Sequence, residues 1–359
     1  MRPDRAIATL GLLAALLAAC ASPAAGPAAP AGGAPASAPA SQAAPAGRAA
    51  PATAAPALLT LRAAYPGPSA SLTPIWLAQE RGLFREQGVD VELLQLSSVR
   101  TDQGVITGDT PLAFGANVVP TRLGGGDIVA IAALTSRISY TLFARPGIAS
   151  PQELRGKTLV ATLPGSTNTS AAILTLRYFG LEPGRDVTIQ PSQGNSEQMA
   201  IVTQGQADAV LFSPPSSLKA QEAGLVPLAN MAEVDIPFMQ AAVAVNGAYG
   251  RDHAETVWRA LRGYVMGVKL ARADAEGAKQ AIAKYSQTDE PTLLDESYHY
   301  YRDQWGRPDF RVPIAGVQTV LQVLDVPGAD TAKPEEFVDN SYIDELHSSG
   351  FIRQAEPFN

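Results

Sequence analysis

The chain has 359 residues, with 27 bases against 34 acids, a formal net charge of −7 and 46% hydrophobic residues. This composition is typical of a globular protein and excludes a disordered chain. Residues 1–57 hold three arginines and one aspartate, so the rest of the chain holds 24 bases and 33 acids. That acidic balance argues against a nucleic-acid partner, which needs a basic face. A single cysteine excludes disulfides within the chain and cysteine-rich metal sites.

The first 19 residues are predicted to be a signal peptide. Two arginines within residues 1–5 precede the apolar stretch 6–19, which is too short for a comfortable membrane span. The stretch ends in Leu-Ala-Ala-Cys20, which resembles the bacterial lipobox, in which the cysteine is lipidated and becomes the first mature residue. We therefore expect an extracytoplasmic protein that is anchored to the bacterial cell membrane through Cys20. The alternative is an ordinary Ala-x-Ala cleavage site.

A linker follows the lipobox, over residues 20–57. Alanine and proline make up 27 of the 37 residues from 21 to 57, and eight of these are prolines. Spaced prolines prevent a continuous helix and favour extended segments. This stretch is predicted to be a stalk between the anchor and the folded part.

From residue 58 onward, short apolar runs alternate with helical stretches, which is the pattern of an α/β architecture. In the first series the predicted strands are 59–65, 89–96, 111–115 and 128–134, and the predicted helices are one through Trp76 ending near Gly82, 101–107 and 117–123. In the second series the strands are 158–162, 187–190 and 209–212, and the helices are 168–179, 197–204 and 216–223. The C-terminal tail is predicted to be helical at 253–274, 277–285, 291–305, 313–324 and 342–349.

Two series joined by extended segments at 140–145 and 240–245 predict two lobes with a cleft between them. Lobe I is expected to comprise 58–145 plus 246–359, and lobe II 146–245. Closure of the cleft is expected to bend the chain around 142–146 and 244–247. In open α/β sheets, ligands bind outside the carboxyl ends of the strands. The loops at those ends are therefore the candidate site.

Five motifs along this region resemble one protein family. They are residues 74–84 (PIWLAQERGLF), 107–114 (TGDTPLAF), 150–157 (SPQELRGK), 204–209 (QGQADA) and 333–339 (KPEEFVD). In this order they are similar to the nitrate/sulfonate/taurine and thiamine-pyrimidine-precursor (NMT1-like) group of ABC-importer substrate-binding proteins. The resemblance implies a type II periplasmic-binding-protein fold with two hinge crossings and ligand-driven closure. It also implies a monomer that delivers a small solute to an ABC permease.

The cleft loops offer polar groups and aromatic rings. Hydroxyls, amides and helix N-termini can bind ligand oxygens, aromatic rings can stack on a planar ligand, and arginines can clamp an anion. Helix capping, core packing and solvated surface arginines are the alternatives for these three groups. The candidate ligand-binding residues are Ser69, Ser71, Asn117, Ser166, Thr167, Asn168, Ser213, Tyr65, Trp76, Tyr140, Arg100 and Arg137.

The chemistry of these side chains predicts a neutral heterocycle or an organic monoanion as ligand. A serine, Ser213, stands where one version of the family has an acid, and a buried cation without a carboxylate would be costly. No cofactor and no metal are expected, because the three histidines (253, 299, 347) are scattered over the helical tail. The three tyrosines at 298, 300 and 301 are expected to pack in the core or lie on the surface.

Two other functions remain open for a chain of this kind. One is a ligand-sensing module for a membrane signalling partner. The other is an enzyme like the thiamine-pyrimidine synthases, a family expected to use a clustered cysteine motif and an active-site histidine. Here the single cysteine is in the lipobox and no histidine lies in the α/β series, so we expect a protein that is not an enzyme.

Overall fold

Ten strands form two five-stranded sheets in the computed structural model, which describes residues 58–306 and 309–354. The predicted signal peptide, Cys20 and the linker lie outside the described residues. In chain order the strands are β1 (Leu59–Tyr65), β2 (Val89–Gln95), β3 (Leu112–Phe114), β4 (Ile128–Arg137), β5 (Thr141–Ala144), β6 (Lys157–Ala161), β7 (Val187–Pro191), β8 (Ala209–Phe212), β9 (Val226–Asn230) and β10 (Pro237–Asn246).

Helices surround both sheets. They are α1 (Thr73–Glu80), α2 (Leu83–Glu86), α3 (Ser98–Thr107), α4 (Val118–Leu123), α5 (Thr167–Tyr178), α6 (Asn195–Thr203), α7 (Ser216–Glu222), α8 (Gly247–Asp252), α9 (Ala254–Ala273), α10 (Ala275–Ser286), α11 (Pro291–Arg302), α12 (Ile314–Leu321), α13 (Ser341–Ser348) and α14 (Phe351–Gln354). The predicted α/β series and the helical C-terminal region are confirmed.

The two sheets share one plan. The first has the order β2-β1-β3-β10-β4 and the second β7-β6-β8-β5-β9. In each sheet the fourth strand in that order runs antiparallel to both of its neighbours: β10 to β3 and β4, and β5 to β8 and β9. We call the first sheet and its helices lobe I, and the second sheet with α5, α6 and α7 lobe II.

The chain crosses between the lobes at residues 138–140 and 231–236, which differs from the expected positions. The segments 140–145 and 240–245 were expected to cross, but β5 pairs within lobe II on both sides and β10 pairs within lobe I on both sides. The expected hinges at 142–146 and 244–247 therefore fall largely within β5 and β10. An apolar extended run looks the same in sequence whether it crosses or pairs, because both are buried extended backbone.

The core of lobe I depends on a close approach of two helices. The apolar face of α9, including Val257, Leu261 and Val268, is buried. Gly267 faces α1, and a Cβ atom there would lie 2.2 Å from the carbonyl oxygen of Pro74. Because glycine has no Cβ, α9 can approach the α1 backbone directly. This packing positions the loop before α1, which belongs to the candidate site.

Strand β9 was not expected from the sequence. It lies at the edge of the second sheet, contains Pro227, and is largely half-buried or exposed. Proline cannot donate a ladder hydrogen bond, so it is excluded from central strands. An edge strand tolerates proline because one of its sides has no neighbouring strand that needs a donor. The weak apolar pattern of such a strand explains why periodicity did not indicate it.

Candidate functional site

The carboxyl ends of strands from both sheets meet where the lobes face each other. From lobe I come the loop after β1 and the residues between β3 and α4. From lobe II come the N-terminus of α5 and the residues after β8. The chain order strand, polar loop, helix places these side chains there, as expected for open α/β sheets.

Asn117 and Thr167 make direct contact across the two lobes. The Thr167 hydroxyl donates to Asn117 Oδ1 at 3.2 Å. Asn117 is oriented from behind by Asp102 of α3, whose carboxylate accepts from the Asn117 backbone N–H at 2.9 Å and from Nδ2 at 3.0 Å. Burial raises the pKa of the Asp102 carboxyl, and the two bonds from Asn117 oppose that shift. The asparagine amide is thus held with its oxygen turned to lobe II.

Ser166 and Asn168 hold the start of α5 within lobe II. Ser166 Oγ accepts from the backbone N–H of Thr169 at 3.2 Å, the helix-capping role that the sequence left open. The buried Asn168 accepts from the backbone N–H of Thr162 at 3.1 Å and from Gln198 Nε2 at 3.0 Å. These bonds fix the loop geometry, so Thr167 is the residue of this group that contacts lobe I.

Tyr301 brings hydroxyls of both lobes together, although it was not among the predicted site residues. Its buried hydroxyl interacts with the side chains of Ser69 from lobe I and Ser213 from lobe II. Ser69 in turn lies 2.9 Å from the Ser71 hydroxyl, oxygen to oxygen. Burial raises the pKa of Tyr301, and the two serines oppose the shift. A neutral hydroxyl therefore links the two halves of the site.

Tyr140 lies on the first crossing, next to both lobes. Its hydroxyl interacts with Asn168 of lobe II and lies near the hydroxyl of Tyr301. Its carbonyl accepts from the backbone N–H of Met231 at 2.9 Å, which ties the first crossing to the second. Burial strongly raises its pKa, so the Tyr140 hydroxyl stays protonated at neutral pH.

Helix α11 is positioned by two anchors. The indole N–H of Trp305 donates to the Ala70 carbonyl at 3.3 Å, beside the loop that carries Ser69. Gln304 accepts from the Ser139 hydroxyl on the first crossing. These contacts bring Tyr300 and Tyr301 to the site, whereas the sequence predicted that they pack or lie on the surface. Three tyrosines close together at the end of one helix were a sequence signal for a special role. The local sequence did not indicate, however, which part of lobe I that end of the helix contacts.

The two remaining predicted aromatic residues belong mainly to the core of lobe I. Trp76 is fully buried and stacks on Tyr285, with ring centroids 4.6 Å apart and planes 5° apart. Tyr65 packs edge-on against Trp76 and donates to Gln95 Oε1 at 3.3 Å. We therefore assign Trp76 to packing, the alternative that the sequence left open. Tyr65 supports the base of the loop after β1.

The two predicted arginines are both exposed. Arg137, at the end of β4, forms an ion pair with Asp235 on the second crossing at 3.0 Å. Arg100 lies on the solvent side of α3. The local sequence places both arginines near the carboxyl end of a strand. The direction of such a long side chain, however, depends on which charged groups lie nearby in the fold. An ion pair with Asp235 leaves Arg137 less suited to clamp a ligand anion.

A cavity of about 20 Å³ lies between the lobes, lined among others by Asn117, Gly165, Thr167 and Gln240. It has room for roughly one water molecule. The lobes therefore meet closely at the Thr167–Asn117 contact. At this contact a hydroxyl of lobe II meets an amide of lobe I.

Over residues 58–306 and 309–354, no group of three or more histidine, cysteine, aspartate or glutamate side chains is arranged to hold a metal ion. Helices in the same ranges lack the combined length and apolar character needed to cross a membrane.

Comparisons with solved structures find the same fold. The periplasmic nitrate-binding protein NrtA from Synechocystis PCC 6803 superposes with a TM-score of 0.67 at 13% identity, over 84% of this chain and 92% of that chain. The alkanesulfonate-binding protein SsuA from Xanthomonas axonopodis pv. citri gives 0.61 at 15% identity, over 75% and 92%. The ligand-binding component of an ABC-type import system from Staphylococcus aureus gives 0.65 at 13% identity, over 80% and 98%.

These likenesses confirm the expected periplasmic-binding-protein fold. A search of curated protein sequences gives no match. A family model is more decisive, because the NMT1/THI5-like model matches residues 69–278, more than half of the chain and most of both lobes. The chain therefore belongs to the NMT1/THI5-like family.

Proposed function

We propose that this protein is an extracytoplasmic solute receptor that binds a small organic molecule between its lobes and delivers it to an ABC importer. The observation that carries the proposal is the hydrogen bond of 3.2 Å from the Thr167 hydroxyl to Asn117 Oδ1, which joins lobe II to lobe I at the carboxyl ends of their strands. A molecule bound there would contact both lobes at once. Ligand binding would therefore favour the closed arrangement over an open one.

The similar structures support a transport role. Proteins described as binding nitrate or alkanesulfonate, or as the ligand-binding component of an ABC-type import system, share this fold. The site offers hydroxyls, an amide and tyrosine rings, which suit a neutral heterocycle or an organic monoanion. Catalysis has less support, because His253 and His299 lie on the helical tail of lobe I and no histidine precedes them.

The receptor function is tested by a screen of several hundred small metabolites by thermal shift, followed by small-angle scattering with each hit. A receptor that closes on its ligand should show a raised melting temperature and a smaller radius of gyration at saturation. The matched control is Ser341→Ala, a change at the start of α13. It should compact like the parent. Hits that raise the melting temperature without any compaction would contradict the clam-shell mechanism.

The membrane anchor is proposed from Cys20, which lies outside the described residues. The full chain and Cys20→Ser should be expressed in bacteria and fractionated into membrane and soluble parts. We expect the parent in the membrane fraction and the serine variant in the soluble fraction, because serine cannot form the thioether that carries the lipid. Unchanged membrane association of the variant would contradict the lipobox interpretation.

A further inference from the structure

A groove of about 360 Å³ lies on lobe I between α3 and α4, outside the cavity that separates the lobes. Its volume is in the range of small-molecule sites. Val99, Ile106 and Pro120 form apolar walls, and the glycine run 124–126 closes one end. The side chain of Val99 is 70% exposed and that of Ile106 is 37% exposed. Exposed apolar side chains that share one groove indicate a binding surface, whereas single scattered ones do not.

The groove also contains a carboxylate that lacks a cation. Asp102 is the charged side chain among the described residues that line it. Its two oxygens accept from the Asn117 backbone N–H at 2.9 Å and from Nδ2 at 3.0 Å. Arg122 of α4 is used elsewhere, since it pairs with Asp127 and donates to a backbone carbonyl. Burial raises the pKa of Asp102, so its charged form is only partly compensated by the amide. A cation from outside would complete the compensation.

The backbone of the groove favours an occupant that donates hydrogen bonds. The N–H groups of residues 124, 125 and 126 donate to the carbonyls of Pro120, Arg122 and Thr121 at 3.0, 2.9 and 3.0 Å. All three donors of the glycine run are thus already used. An anion in the groove would have to compete for them and would meet the carboxylate of Asp102. An ammonium group, by contrast, can donate to that carboxylate.

The same carboxylate acts on the contact between the lobes. Asn117, which it holds from behind, accepts from the Thr167 hydroxyl of lobe II at 3.2 Å. Pro120 lines both the groove and the cavity between the lobes. A cation that keeps Asp102 ionised keeps both of its oxygens available as acceptors for Asn117. A group bound in the groove can therefore influence the contact between the lobes without touching lobe II.

We propose that this groove is a second ligand site, which takes a small organic ammonium ion, and that its occupation stabilises the closed arrangement through Asp102, Asn117 and Thr167. The ammonium group would pair with Asp102, and the apolar part of the ion would pack on Val99 and Ile106. Coupling of this kind is reciprocal, so closure of the lobes would also tighten binding in the groove. The site lies outside the cleft and does not depend on which molecule the cleft binds.

The binding test uses the full chain and two probes that differ in one group. Benzylammonium is compared with benzyl alcohol by isothermal titration calorimetry at pH 7.5, where the amine is protonated. We expect benzylammonium to bind at least about tenfold more tightly, because the ammonium forms an ion pair with Asp102 and the alcohol cannot. In Asp102→Asn the two probes should bind alike. The control is Asp109→Asn, at an exposed residue just beyond the same helix, which should keep the preference of the parent.

A second variant tests the site without altering Asp102. Val99 lies three residues before Asp102 on α3, a spacing at which helical side chains are neighbours. Because Val99 is largely exposed, Val99→Lys places an ammonium group beside the carboxylate without disturbing the core. This variant should bind benzylammonium at least about tenfold more weakly than the parent, because its own ammonium group occupies the site. Val99→Gln removes the same apolar side chain without adding charge and should keep the preference for benzylammonium over the alcohol.

The coupling to the lobes is measured by fluorescence energy transfer between dyes on lobe I and lobe II. Saturating benzylammonium should shift the parent toward the closed arrangement, and Val99→Lys should show this shift without any probe. The shift caused by benzylammonium should disappear in Thr167→Val, which lacks the bond through which the groove acts. An unchanged transfer efficiency in both the parent and Val99→Lys would overturn the coupling.

Other results would overturn the ammonium site itself. Equal binding of the two probes to the parent, or no binding of either, would show that the carboxylate does not select a cation. Full affinity for benzylammonium in both Asp102→Asn and Val99→Lys would place the bound amine elsewhere. If benzylammonium fails to bind while a capped tripeptide with arginine between two valines does, the groove is a docking surface for another protein. None of these results changes the compaction expected in the metabolite screen, so the receptor function is tested separately.

Discussion

The two lobes have the same strand order, but they contribute to the site in different ways. In lobe II the polar residues at the start of α5 bond mainly to one another, as Asn168 does with Thr162 and Gln198. In lobe I, α11 contributes Tyr300, whose buried hydroxyl has no hydrogen-bond partner among the described residues. Lobe II therefore has a loop whose polar groups are satisfied within the lobe, whereas lobe I keeps a buried hydroxyl, that of Tyr300, without such a partner among the described residues.

The difference follows from how each lobe is covered. Lobe II carries three helices, α5, α6 and α7, and its loops must satisfy their own polar groups. Lobe I carries the long α9 and the helices after it, which bring aromatic side chains far from β1 in sequence to its strand ends. Added helices can thus reshape one half of a site without changing the sheet beneath it.

The largest effect is expected where α11 is anchored. Trp305→Ala removes a fully buried side chain and its bond to Ala70, so the free energy of unfolding should fall by about 3–5 kcal/mol. Urea denaturation measures it. Tyr178→Ala, at an exposed residue, is the control and should change stability by no more than about 0.5 kcal/mol. Equal losses in the two variants would contradict the anchoring role.

The corresponding change in lobe II should be smaller. Asn168→Ala leaves the Thr162 N–H and the Gln198 amide without their buried partner, so the free energy of unfolding should fall by about 2–3 kcal/mol. Asn195→Ala removes a single exposed bond to Ser216 and serves as the control. If both alanine variants unfold at the same urea concentration, the start of α5 is not held by Asn168.

A smaller effect is expected at the contact between the lobes. Thr167→Val keeps the shape of the side chain but removes the bond to Asn117, which should disfavour the closed arrangement by about 1 kcal/mol. Dye pairs on the two lobes, read by fluorescence energy transfer, would show a shift toward the open form. Thr203→Val, whose hydroxyl bonds within α6, should leave the transfer efficiency unchanged. An unchanged efficiency in Thr167→Val would show that the Thr167–Asn117 bond does not hold the lobes together.

The smallest effect is expected on the stability of the protein in acid, and it comes from the carboxyl of Asp186 in lobe II, whose pKa is lowered. Hydrogen bonds from Arg185 and from the Glu182 backbone N–H, with the charge of Arg155, lower that pKa to about 2. Because the folded pKa lies below the unfolded value, the stabilising contribution is present above about pH 4 and is lost as the pH falls toward 2.

The measurement is the urea midpoint between pH 5 and 2, for the parent and for Asp186→Asn. The parent should lose stability more steeply with falling pH than the variant, because asparagine has no proton to take up. Asp252→Asn, at an exposed residue at the end of α8, should follow the parent. Parallel curves for the parent and Asp186→Asn would show that Asp186 does not contribute to the acid dependence.

Two features of the fold could not be read from local sequence. The runs at 140–145 and 240–245 were predicted as extended, which is correct for most of each run, but the pairing of β5 within the second sheet and of β10 within the first was not predicted. Strand pairing joins residues far apart in the chain, such as Ala244 with Ala113. Apolar periodicity reports that a segment is buried and extended, and carries no information about its partner.

The sequence by itself determined the alternation of strands and helices, the polar loops at the strand ends and the motifs of the family. Those depend on local periodicity, on capping residues and on short spacings, which each segment carries within itself. Tertiary structure alone decided that Thr167 contacts Asn117, and that Arg137 pairs with Asp235. Those neighbours come from distant parts of the chain, so packing of whole helices and sheets, and not any local pattern, brings them together.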